Sequence, residues 1–125
     1  MRIKGNSLRL RVSRSELARL EAGERVVELT RLGPSPDSVL SYSLKGEESA
    51  AEVSLNYQSG RIGVVLPGAG LHAWSGSDEV GIYAMLKVGN GESLEVAVEK
   101  DYACLDRSAA DNEDTFANPH AGKAC

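Results

Sequence analysis

The sequence predicts a mainly β, α+β fold: a curved antiparallel sheet or small barrel of about seven strands, with one short N-terminal helix and an ordered irregular C-terminal wrap. Three observations predict it. Short segments alternate apolar and polar residues at period two. Most connections between them are too short for parallel crossovers. The clearest helical spacing lies in one stretch near the N-terminus.

The first strand is SLRLRV (7–12), with Leu8, Leu10 and Val12 on one side and Arg9 and Arg11 on the other. A helix follows. Ser13 and Glu16 have the spacing of a capping box, Leu17 and Leu20 supply an apolar edge, and Gly23 ends it. RVVELTRL (25–32) is β-rich until Gly33, Pro34 and Pro36 break it. SVLSYSLK (38–45) and AEVSLNY (51–57) alternate cleanly. QSG then turns the chain into the return strand RIGVVLP (61–67), which makes the clearest hairpin. Pro67 starts a single helical turn with Leu71 and Trp74 facing inward. EVGIYAMLKV (79–88) and SLEVAVEK (93–100) are the last two strands, joined at Asn90-Gly91. The sequence reads as having no internal repeat. Beyond Asp101 the alternation stops.

A chain of 125 residues fits one domain, with 1–100 as a β-rich core and 101–125 as an acidic wrap. Nothing approaches the apolar length of a membrane span, and the N-terminus lacks the pattern of a signal peptide, so a cytoplasmic protein is expected. Net charge is −4, which disfavours general binding to nucleic acid. The charge is uneven. Residues 1–62 carry ten Lys/Arg against eight Asp/Glu, and residues 63–125 carry four against ten. That difference either helps one part of the fold lie against another or leaves an anion-binding face on the first half.

MRIKGNSLRLRVSRSE at the start and VEKDYACLDR…NEDTFANPH near the end resemble a group of small uncharacterised bacterial proteins. That resemblance implies a bacterial, cytoplasmic, single-domain protein. It carries no catalytic assignment onto any residue.

Two sets of residues are candidate sites. Arg9, Arg11, Arg31 and Arg61 lie on predicted strands, and with Glu52 they form a candidate ligand site, since guanidinium forks suit phosphate and carboxylate groups. Cys104, Asp106, His120 and Cys125 are residue types that zinc accepts, but they lack the close pairing of a rigid half-site. The same two cysteines allow a disulfide, which a cytosolic location disfavours. His72 reads as a loop histidine. The expectation is a non-enzymatic accessory or protein-binding module of unknown partner, with no catalytic residues and no cofactor. The alternative is a small-anion/phosphate or metal-binding protein, using the Arg-bearing strands or the Cys/His/Asp segment. No membrane partner is expected, and a homodimer through a sheet edge stays open.

Overall fold

The computed structural model describes residues 1–103 and 113–117. They form eight strands, β1 (Arg2–Lys4), β2 (Ser7–Val12), β3 (Val26–Arg31), β4 (Val39–Glu47), β5 (Ser54–Gln58), β6 (Arg61–Pro67), β7 (Gly81–Gly89) and β8 (Glu92–Lys100), and two helices, α1 (Arg14–Glu21) and α2 (Gly68–Ser75). The strands make two four-stranded sheets, ordered β1-β2-β8-β7 and β3-β4-β6-β5. The chain divides into two compact units: residues 1–17 with 79–125, and residues 18–78.

The mainly β, α+β expectation stands, but the sheet geometry differs from it. Neither sheet closes, so the barrel is wrong: β1 and β7 edge one sheet, and β3 and β5 edge the other. Nor are the sheets purely antiparallel. The four hairpins are, but β2 runs parallel to β8 and β4 parallel to β6. Short connections fix the direction of consecutive strands only. The parallel seams join strands far apart in sequence, where connection length says nothing. Strand β1 was also missed. Its three residues, Arg2, Ile3 and Lys4, are too few and too polar to show alternation, yet Gly5 at φ 56° turns them back onto β2.

In the first unit, Leu8, Leu10 and Val12 pair with Val96, Val98 and Lys100, and all six are buried. The intervening residues, Ser7, Arg9 and Arg11 on β2 and Glu95, Ala97 and Glu99 on β8, share the opposite face. Helix α1 starts on the expected capping box. Glu16 Oε1 accepts the Ser13 N–H at 2.9 Å, and Ser13 Oγ accepts the Glu16 N–H at 3.2 Å. The C-terminal segment adds a cap that no local pattern reveals: Asp114 Oδ1 accepts the Ser15 N–H at 3.0 Å, and Oδ2 accepts the Ser15 hydroxyl. That hydrogen bond from Ser15 holds the Asp114 carboxyl below its usual range. Further along, Phe116 bridges Tyr102 in parallel, and the Lys100 ammonium sits 5.5 Å from the Phe116 ring centroid.

In the second unit, Leu44, Ile62, Val64 and Leu66 line the buried face of the sheet, with Val26 from β3. Helix α2 lies against β4 and β6 and buries Leu71 and Trp74. Gly46 permits that approach, because a Cβ there would lie 2.6 Å from Leu71 Cδ2. Both units therefore show one plan: two hairpins, joined through their second strands by a parallel seam.

Candidate functional site

The polar face of the first sheet gathers cations. Across β1 and β2, Arg2 stands opposite Arg9 and Lys4 opposite Ser7, so their side chains share a face, and Arg11 follows one pleat further along. Two shallow cavities open there. One of about 190 Å³ is lined by Arg2, Lys4, Arg9 and Glu95 among others. The other, of about 330 Å³, is lined by Met1, Arg2, Arg9 and Arg11. The first is below the usual size of a small-molecule pocket and the second is at its lower limit.

Glu99 organises the site. It is only 14% exposed and accepts from Arg9 Nε at 3.0 Å. It also accepts from the Tyr83 hydroxyl at 2.6 Å. Partial burial and the Glu99 carboxylate push Tyr83 up to about 12, so it stays a neutral donor through the physiological range. Arg9 is thus fixed through Nε, which leaves its four terminal N–H donors for a ligand. Among the described residues, no carboxylate lies within ion-pair distance of Arg2, Lys4 or Arg11.

The structure brings together Arg9 and Arg11, and adds Arg2 and Lys4 from β1. Arg31 and Arg61 belong to the other sheet, on β3 and β6. Arg31 is engaged locally, donating to the Ser35 carbonyl at 3.0 Å. Glu52 is an exposed residue ahead of β5. Cys104, Asp106, His120 and Cys125 lie outside the described residues. Among the described residues, no three His, Cys, Asp or Glu side chains are grouped to hold a metal ion.

Sequence reading missed a second cluster. His72 is helical, not in a loop: it projects from α2, with Nδ1 2.7 Å from Glu21 Oε2 and Nε2 2.8 Å from Glu48 Oε1. An imidazole can donate through both nitrogens only when doubly protonated, so this is the geometry of an imidazolium. Its pKa is raised above 6.5, first by the hydrogen bond to Glu48 and then by that to Glu21. The three residues are too far apart in sequence to signal the cluster. Since the folded pKa is the higher one, the contribution of this clamp to stability is full below about pH 6.5 and is lost as pH rises through the folded value. Glu48→Gln is expected to lower the His72 midpoint in an NMR titration and to flatten the fall in thermal stability above that pH; an unchanged midpoint would contradict the clamp.

Fold and site define a small α+β protein of two mixed sheets, with a cationic cleft on the face of one. Residues 1–120 match a family of unknown function, DUF7009, and the chain belongs to that family. No curated protein and no solved structure is found to match it. No described helix is long and apolar enough to cross a membrane.

Proposed function

We propose that the protein binds a small phosphate-like or carboxylate anion on the polar face of the β1-β2-β8-β7 sheet, held by Arg2, Arg9 and Arg11 with Lys4 at the margin. The supporting observation is the convergence of three arginines on adjoining cavities, with one carboxylate, Glu99, orienting one of them. Guanidinium forks match the oxygens of such anions, and charge-assisted hydrogen bonds are the strong ones.

The molecule supplies its own comparison. The β5–β6 hairpin, like β1–β2, has a turn of two residues and its own parallel seam. There Asn56, Gln58, Gly63 and Val65 occupy the places of Arg2, Lys4, Arg9 and Arg11. The hairpin is built without those four cations, so the fold does not require them. Isothermal titration with pyrophosphate, and separately with inorganic phosphate, tests the reading. Arg2→Ala and Arg11→Ala should each weaken binding roughly tenfold or more, while Arg61→Ala should leave it unchanged. Absence of binding at millimolar anion, or equal losses at Arg61, would refute it.

A second reading, an accessory module that pairs with a partner strand, is favoured by edge strand β3. Its Val27 and Leu29 are exposed, Leu29 at 69%. If so, Leu29→Lys would abolish partner capture without touching anion binding.

A further inference from the structure

We infer that the chain is an interlocked tandem duplication: two copies of one ββαββ unit, residues 2–47 and 54–100, each of which completes its sheets with hairpins of the other. The partner that each hairpin's free second strand fits is the other copy of the same unit.

The correspondence holds in register at a constant offset of 54 everywhere but at β3 and β7. Ile3 opposite Leu8 and Lys4 opposite Ser7 become, on adding 54, Tyr57 opposite Ile62 and Gln58 opposite Arg61. Helix α1, Arg14–Glu21, becomes Gly68–Ser75, which is α2 from end to end. The buried set Leu8, Leu10, Val12, Leu17, Leu20 becomes Ile62, Val64, Leu66, Leu71, Trp74, and every member is buried. The seams agree as well. Leu8 opposite Val96 and Leu10 opposite Val98 map onto Ile62 opposite Tyr42 and Val64 opposite Leu44, with the copies exchanged.

Individual hydrogen bonds repeat. Glu95 N–H donates to the Asn6 carbonyl at 3.0 Å, and Ser41 N–H to the Gly60 carbonyl at 2.8 Å. At the helix ends, Ala22 N–H donates to Ala18 O and Gly76 N–H to His72 O, both at 3.0 Å. The one offset is at β3 and β7: Val26 opposite Leu44 matches Ile82 opposite Val98, so the helix-to-strand connection is two residues longer in the second copy.

The second hairpins differ at their turns, seven residues between β3 and β4 against two between β7 and β8, but unrelated hairpins have no reason to share first-turn length, helix bounds, seam register and core spacing together. Each sheet takes one hairpin from each copy: β1–β2 of the first with β7–β8 of the second, and β3–β4 of the first with β5–β6 of the second. The pairing that a lone copy would need from a second molecule is thus met within one chain, as in exchange of an identical element between protomers.

A graft in the full chain tests this. Residues 56–75 are replaced by the sequence of residues 2–21 with Gly60 and Gly68 retained, because a Cβ at either meets backbone; no insertion or deletion is needed. As control, the same twenty residues replace 57–76, one position out of phase. A one-residue slip turns every side chain of a strand to the wrong face. The in-phase graft should give a monomer with the parent far-UV circular dichroism and a single cooperative thermal transition; the slipped graft should lose both. In case the full graft fails on fine packing, a four-residue exchange of buried positions, Ile62→Leu, Val64→Leu, Leu66→Val and Trp74→Leu, should keep the cooperative transition. The inference is overturned if the in-phase graft behaves no better than the slipped one and the four-residue exchange also loses its transition. None of these readouts involves an anion, so the result is independent of the proposed function.

Discussion

Replacing Trp74 by alanine is expected to lower the unfolding free energy by about 3–5 kcal/mol. Trp74 is the largest fully buried side chain, 1% exposed, on the inner face of α2. Alanine leaves a cavity that the surrounding strands can fill only in part. Against a total of about 5–15 kcal/mol for a domain, that loss brings much of the chain near its unfolding threshold. The indole N–H has no acceptor among the described residues, so the residue contributes through packing. Trp74→Phe keeps a ring and removes that unpaired donor, whose burial carries a penalty. It should therefore lose only about 1–2 kcal/mol. Urea denaturation of the two variants measures the difference; equal losses would show that ring packing is not what α2 provides.

The second large effect is expected at Gly60. Its φ is +79°, and a Cβ there would lie 2.8 Å from the Val39 carbonyl oxygen. Gly60→Ala must meet the left-handed penalty and also displace backbone, for an expected loss of about 2–3 kcal/mol. Gly5, at φ +56° in the matching β1–β2 turn, has nothing within 4 Å of the same added atom. Gly5→Ala should therefore cost only the conformational part, about 1 kcal/mol. Similar midpoint shifts for the two variants in thermal melts would show that the Val39 contact is not felt.

The elements were legible where local chemistry decides them. Alternation located β2, β4 and β8, the QSG turn placed β6 as a return strand, Asn90-Gly91 marked the last hairpin turn, and the Ser13–Glu16 pair marked the start of α1. Helix α2 was only partly legible, as one turn after Pro67. Its first residues, Gly68, Ala69 and Gly70, argue against a helix, at about 1 kcal/mol for each glycine relative to alanine. Packing overrides that propensity. A Cβ at Gly68 would lie 3.0 Å from the Glu48 Cα, so the glycine permits close approach where it weakens the helix.

The parallel seams were not legible, because they join β2 to β8 and β4 to β6 across long stretches of chain. The duplication was hidden for another reason. The copies keep the spacing of their buried apolar residues but not the polarity of the exposed ones, and few residues stay identical, such as Leu17 with Leu71 and Leu40 with Leu94. Of the cationic site, Arg9 and Arg11 were visible from alternation. Arg2 and Lys4 are close enough in sequence to suggest a neighbouring stretch of that face, and strand β1, folding back on β2, sets Arg2 opposite Arg9.

The central functional claim is that the polar face of the β1-β2-β8-β7 sheet takes an anion while the corresponding face of its structural twin does not. Amide NMR shifts during a pyrophosphate titration test it most directly. The account predicts saturable shifts at residues 2–11 and 95–99, with residues 54–67 unmoved. Saturable shifts centred on 54–67, or no saturable shift anywhere up to millimolar pyrophosphate, would contradict it.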